Sequence, residues 1–120
     1  MHYRPAMRLD EYTVALLVLR DDAPELDDDA ASALQNAHLA HLADLHDAGY
    51  LLAAGPLEDP RFRGLTILRV DPERAIELES ADPAVRAGRF EVRAMRWHVP
   101  EGLIHFAPGA LPRSVAEVDD

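Results

Sequence analysis

The segment of residues 30–56 constrains the fold most, because it joins a long amphipathic helix to a short apolar strand. The helix is predicted to begin near Asp27 to Asp29 and to end before Gly49, a residue type that commonly follows the last helical turn. The strand covers residues 50–54 and ends at Gly55-Pro56. A chain built around this unit is expected to pack helices on a sheet.

The apolar side of this helix carries histidine. At about 100° per residue, four side chains fall within a band roughly 60° wide, namely Leu34, His38, His41 and Leu45. A titratable ring on the core side of a small protein takes part in chemistry or is bonded to a buried polar group. The residues alone leave both interpretations open.

The remaining periodic segments complete an alternating order of strands and helices. Strands are predicted over residues 12–19, 50–54, 65–70 and 90–97, and a short second helix over residues 72–80. The order βαββαβ predicts an α+β, ferredoxin-like fold with a four-stranded antiparallel sheet and the helices on one face. The other face needs a cover, and a second copy of the chain is the economical one, so we expect a homodimer or higher homo-oligomer.

The length of 120 residues fits one domain with a core of its own. We assign residues 12–98 to this domain, residues 1–11 to an N-terminal arm and residues 99–120 to a C-terminal extension. The extension contains three prolines and two glycines from His98 onward and is expected to lie over the surface. The sequence leaves open whether the extension caps a cleft or docks on a neighbouring molecule.

The composition excludes several classes of function. The chain has no cysteine, which removes disulfides, thiolate chemistry and cysteine-based metal sites. All twelve basic residues are arginine, so there is no Schiff-base or P-loop lysine. A formal charge of −10 argues against nucleic acid as a partner. No apolar run is long enough to cross a membrane and no signal peptide is recognisable, so a cytoplasmic location is expected.

Three pieces of the chain, in order, resemble the YciI-like family, also called the YCII-related domain. The first is His38 within NAHLAHL, followed eleven residues later by Gly49; the others are LLAAGP at residues 51–56 and ADPAVRAGRFEVRAMRW at residues 81–97. The resemblance implies ferredoxin-like chains in a dimeric α+β barrel-type assembly, with a His–Asp pair in a cleft. It also implies an enzymatic role that is largely undefined for the family.

Carried over to this chain, the pair falls on His38 and Asp82. Two nearby positions depart from the family pattern. Gln35 stands where the family often has Arg or Lys, and Ala84 stands where an aromatic residue often follows the Asp-Pro. Both departures leave room for a different substrate.

His38 is the candidate general acid or base, because imidazole is the usual proton-transfer group near neutral pH. Asp82 would orient the ring and stabilise its charged form. In the alternative interpretation the two residues form a structural pair, and Asp82 serves an ordinary Asp-Pro turn. His41, at i+3, is expected to line the pocket or the edge of the core. A metal held by His38 and His41 is a weaker alternative, since neither Asp44 nor Asp47 lies on their stripe.

Three further residues are candidates for substrate binding. Gly55 allows close approach of a ligand to the backbone, with Pro56 beside it, although both are also ordinary strand punctuation. Arg86 has the geometry to hold a carboxylate or phenolate, or to pair with the acidic surface of this protein.

The sequence therefore predicts a small enzyme that acts on a small organic molecule without metal or other cofactor. His38 and Asp82 would catalyse an isomerisation, elimination or dehydrohalogenation. The alternative is a non-catalytic ligand-binding or interaction module. Small-molecule ligands and a second copy of the chain are the expected partners, and neither nucleic acid nor a membrane is.

Overall fold

The computed structural model describes residues 7–118 of the chain. Its elements, in chain order, are β1 (Leu9–Leu19), α1 (Asp28–Asp47), β2 (Leu51–Pro56), β3 (Phe62–Leu68), α2 (Pro72–Ser80), α3 (Pro83–Arg86) and β4 (Phe90–Pro100), followed by a 3₁₀ turn at Val115–Glu117. Residues 1–6 of the predicted N-terminal arm and the last two residues lie outside the described residues.

The four strands form one antiparallel sheet in the order β2-β3-β1-β4. The three helices lie on one side of it, which confirms the predicted ferredoxin-like α+β class. The outer strands of each βαβ unit run in the same direction with another strand between them, as this fold requires.

The central strands are longer than the apolar pattern predicted. β1 begins at Leu9 rather than Tyr12, and β4 continues to Pro100 rather than ending at Trp97. The added ends pair with each other, with Leu9 opposite Pro100 in the register. Strand pairing satisfies backbone groups whatever the side chains are. The added ends mix polar residues such as Asp10 and Glu11 with apolar ones such as Val99, so they form no continuous apolar run.

The helix boundaries follow the capping chemistry of the sequence. Asp27 accepts a hydrogen bond from the Ala30 amide at 2.7 Å, and Asp71 accepts one from Arg74 at 2.8 Å. After α1, Gly49 takes a φ of 86°, which glycine adopts at little cost. The chain can therefore turn sharply from α1 into β2.

The core lies between the sheet and the C-terminal half of α1. Ala15, Leu51 and Leu68 from the sheet pack with Leu42 and Leu45 of α1. The predicted apolar stripe of α1 is buried only where it meets this core, because Leu34 is half-buried and Ala30 is exposed. The N-terminal half of α1 thus borders a different environment.

The opposite face of the sheet carries apolar side chains that this chain leaves partly uncovered. Thr13 and Ala15 point to the core, so Val14 between them faces away, opposite Met95 in the register. Met95 is 48% exposed and Trp97 is 38% exposed. Large apolar side chains on such a face mark a surface suited to contact with another molecule.

None of the helices within residues 7–118 is both long enough and apolar enough to cross a membrane.

Candidate functional site

A cavity of about 680 Å³ lies beside the N-terminal half of α1. It is partly open to solvent and is bordered by α1, by the sheet and by residues 111–118, which we call the C-terminal strap. Leu42, Leu17, Leu111 and Val115 contribute apolar surface to it. A volume of this size holds a small organic molecule.

Four of the lining residues have polar side chains, namely Gln35, His38, Arg63 and Thr66. A mostly apolar wall with a few polar groups binds organic molecules and fixes their orientation. Gly55 and Pro56, which end β2, also line the cavity. Both are candidates for substrate binding from the sequence.

The structure brings His38 and Asp82 together. Nδ1 of His38 lies 2.5 Å from Oδ2 of Asp82, although the residues are 44 positions apart. An ionised carboxylate only accepts hydrogen bonds, so Asp82 in that form pairs with a ring that has its proton on Nδ1. His38 also lines the cavity, and its Nε2 has no hydrogen-bond partner among the described residues. Nε2 is therefore the ring nitrogen that a ligand can reach.

Asp82 is held from its other side as well. Its Oδ1 accepts a hydrogen bond from the Ala84 amide at 2.8 Å, which caps the short helix α3. The Asp82 side chain is completely buried, and the side chain of His38 is 14% exposed. The Asp-Pro turn thus fixes the carboxylate, and the carboxylate fixes the ring.

The two histidines on the apolar side of α1 have different hydrogen-bond partners. His41 donates from Nε2 to the backbone carbonyl of Leu78 at 2.9 Å, which ties α1 to α2. His41 is not among the residues that line the cavity. Nor is Arg86, which is exposed in α3. Within residues 7–118, no group of three or more His, Asp or Glu side chains is arranged to hold a metal ion.

A second buried carboxyl stands behind the cavity, and sequence reasoning missed it. Glu79 is completely buried in α2, and the Thr66 hydroxyl oxygen is hydrogen-bonded to its Oε1 at 2.9 Å. Burial raises the pKa of Glu79, and the Asp82 charge acts in the same direction, whereas Thr66 and the two histidines lower it. The signal was its place at i+4 from Ala75, on the buried side of α2.

The C-terminal strap borders the cavity and is bonded to α1. The Arg113 guanidinium bonds Asp44 at 2.9 Å and also contacts Asp47. The amide of Val115 donates to Oδ1 of Asn36 at 2.8 Å. The extension therefore caps this chain's own cavity, one of the two positions that the sequence left open.

Fold and site together define a small ferredoxin-like α+β domain with a part-buried His–Asp pair beside a partly open, largely apolar cavity. Within that class, the chain belongs to the YCII-related domain family. The model of this family matches residues 14–98, which is more than half of the chain. This match confirms the family that the motifs indicated. A comparison with curated proteins gives no match.

Proposed function

We propose that this protein is a cofactor-independent acid–base enzyme of the YciI-like type, acting on a small organic molecule bound in the cavity. The observation that carries the proposal is that His38 is both on the cavity wall and bonded to a buried carboxylate. We include in it the homodimer and the cytoplasmic location that the sequence analysis expects.

His38 acts as the base through Nε2. Asp82 holds the proton on Nδ1, which leaves the Nε2 lone pair for a proton of the substrate. Once His38 is protonated, the negative charge of Asp82 stabilises the imidazolium. Return of the proton to another atom of the substrate gives an isomerisation, and departure of a leaving group gives an elimination or dehydrohalogenation.

The test uses 5-nitrobenzisoxazole, an apolar bicyclic probe that reports on a base without needing the natural substrate. A base removes the proton on C3 while the N–O bond breaks, and the product is a coloured nitrophenolate. The native protein is expected to accelerate this elimination over buffer, and His38→Gln to remove the acceleration, since a positioned base contributes roughly 10²- to 10⁴-fold.

Two matched variants complete the experiment. Asp82→Asn keeps a side chain that caps α3 but removes the carboxylate, so the rate is expected to fall while the fold is retained. His46→Gln changes a histidine on the same helix that does not line the cavity, and the rate is expected to stay unchanged. A native rate equal to that of His38→Gln would contradict the proposal.

A second function, a non-catalytic ligand-binding module, is favoured by one observation. Both oxygens of Asp82 are bonded inside the fold, so the His38–Asp82 pair also joins α1 to α3. Under this function the probe binds in the cavity without being converted. Saturable binding of the probe, with no turnover above that of His38→Gln, would favour the binding module.

A further inference from the structure

Glu79 and Thr66 form a polar pair that takes no part in the proton transfer proposed for His38 and Asp82. Thr66 belongs to the cavity wall, and its hydroxyl is bonded to a completely buried carboxyl group. Oε2 of Glu79 is the one buried side-chain oxygen or nitrogen within residues 7–118 that has no hydrogen-bond partner. A buried polar atom left in this way is unusual enough to need an explanation.

The position of the proton on Glu79 decides how costly this arrangement is. An ionised Glu79 leaves a charged oxygen buried without a partner, close to the charge of Asp82. A proton on Oε2 leaves a buried donor without an acceptor. A proton on Oε1 instead donates to Oγ1 of Thr66, and only a neutral carbonyl oxygen stays unpaired, which costs least.

That choice fixes the direction of the Thr66 hydroxyl. A hydroxyl has one hydrogen and two lone pairs, so Oγ1 can accept from Glu79 and still donate elsewhere. We propose that Glu79 donates from Oε1 to Thr66, and that the Thr66 hydroxyl hydrogen is thereby offered to the cavity, where it binds an acceptor oxygen of the substrate. Glu79 is in this account a positioning residue that acts through Thr66.

The substrate class follows from this donor, and here the inference rests on the proposed function. The site offers a base at His38 and a neutral donor at Thr66, both of which line the cavity. A small carbonyl compound meets both, because the base removes a proton next to the carbonyl group while the donor stabilises the charge that develops on its oxygen. We infer that the substrate is a mostly apolar carbonyl compound.

The groups that shift the pKa of Glu79 come from three elements. Thr66 approaches from β3, His38 and His41 from α1, and Asp82 from the start of α3. The strands β1 and β4 present Ala15 and Ala94 to the adjoining core. The titratable neighbours of Glu79 are thus His38, His41 and Asp82.

The first measurement reads the proton directly in the native protein. The infrared spectrum at about pH 7, where an ordinary glutamate is ionised, is expected to contain a carboxylic-acid C=O band that is absent in Glu79→Gln. Glu77→Gln, on the exposed side of the same helix, is expected to leave that band in place. A spectrum without such a difference would overturn the proposal.

The second measurement tests the Thr66 hydroxyl as a donor through ligand binding, which does not require His38 to act as a base. Acetophenone has a carbonyl acceptor and ethylbenzene, of similar size, has none; binding of each is followed by NMR shifts of the cavity residues. Thr66→Val is expected to weaken acetophenone binding roughly three- to tenfold and to leave ethylbenzene binding unchanged, as for loss of one hydrogen bond. Thr66→Ser, which keeps the hydroxyl, is expected to bind both as the native protein does.

The outcomes separate this inference from the proposed function. His38→Gln is expected to retain the preference for acetophenone, since binding does not use the base. Raising the pH through the pKa of Glu79 is expected to weaken acetophenone binding in the native protein and not in Glu79→Gln, whose amide can still donate to Thr66. Equal loss of both ligands in a folded Thr66→Val would overturn the donor role, whatever the elimination assay shows.

Discussion

Three titratable side chains from two distant segments meet at the site, with His38 in α1 and Glu79 and Asp82 close together at the end of α2 and the turn after it. His38 supplies the ring nitrogen, Asp82 holds the opposite nitrogen, and Glu79 is buried behind Thr66. The sequence predicted the first two through the histidine stripe and the Asp-Pro turn. It did not predict the third, because a charged residue near the end of a short helix normally faces solvent.

Glu79 makes the stability of the protein depend on pH. Because burial raises the pKa of Glu79, the native state keeps a proton that the unfolded chain has lost in the window between the unfolded and folded pKa values. Its stabilising contribution is complete below the unfolded pKa and is lost as the pH rises through the folded one. Within that window the loss is up to about 1.4 kcal/mol per pH unit.

We therefore expect Glu79→Gln to gain stability relative to the native protein as the pH rises. The free energy of unfolding is measured by urea denaturation from below the ordinary glutamate pKa to above neutrality. Glu77→Gln, on the exposed side of α2, is expected to show no such trend. A constant difference between Glu79→Gln and the native protein at every pH would show that Glu79 has the same pKa in both states.

The C-terminal strap forms one side of the cavity. Leu111 packs on the core and Arg113 bonds two aspartates of α1, so apolar and ionic contacts hold the same short segment. The carboxylates beside Arg113 raise its pKa, with Asp44 the larger cause. The sequence could not predict this contact, since the prolines and glycines of the extension interrupt its apolar residues and leave no helical or strand period.

Arg113→Gln is expected to loosen the C-terminal strap without unfolding the domain. The measurement is hydrogen–deuterium exchange of the backbone amides of residues 111–118, above all that of Val115, which is bonded to Asn36. Exchange there is expected to become faster, and added salt is expected to speed it in the native protein, because ions screen exposed charge pairs. Arg74→Gln, which removes a similar exposed pair on α2, is the control. Unchanged exchange in Arg113→Gln would mean that the apolar contacts alone hold the segment.

At the scale of the whole molecule, the order of elements could be predicted from the sequence and their contacts could not. The alternation of helical and strand periods predicts βαββαβ, and this order has few compact solutions. The cavity depends on where α1 leaves the core and on a segment without regular structure. The closeness of His38 and Asp82 was inferred through the family resemblance, because spacing along the chain does not determine such a contact.

The outer face of the sheet leads to a prediction about assembly. We expect the native protein to sediment as a dimer in analytical ultracentrifugation and Met95→Glu to sediment as a monomer, because a charge placed there opposes burial between two sheets. Ile76→Glu is the matched control. Ile76 is 42% exposed, similar to Met95, but it lies on α2 on the other side of the sheet. A native protein that sediments as a monomer would contradict the expected assembly.

The central claim is that Asp82 keeps the proton on Nδ1 of His38 and leaves Nε2 free to act as the base. Long-range ¹H–¹⁵N NMR of the histidine rings measures this directly, with the His38 signals assigned by their absence in His38→Gln. At a pH where the His38 ring is neutral, we expect a protonated Nδ1 and an unprotonated Nε2. A neutral ring with its proton on Nε2 would contradict the account, because that nitrogen could not then accept a proton from a molecule in the cavity.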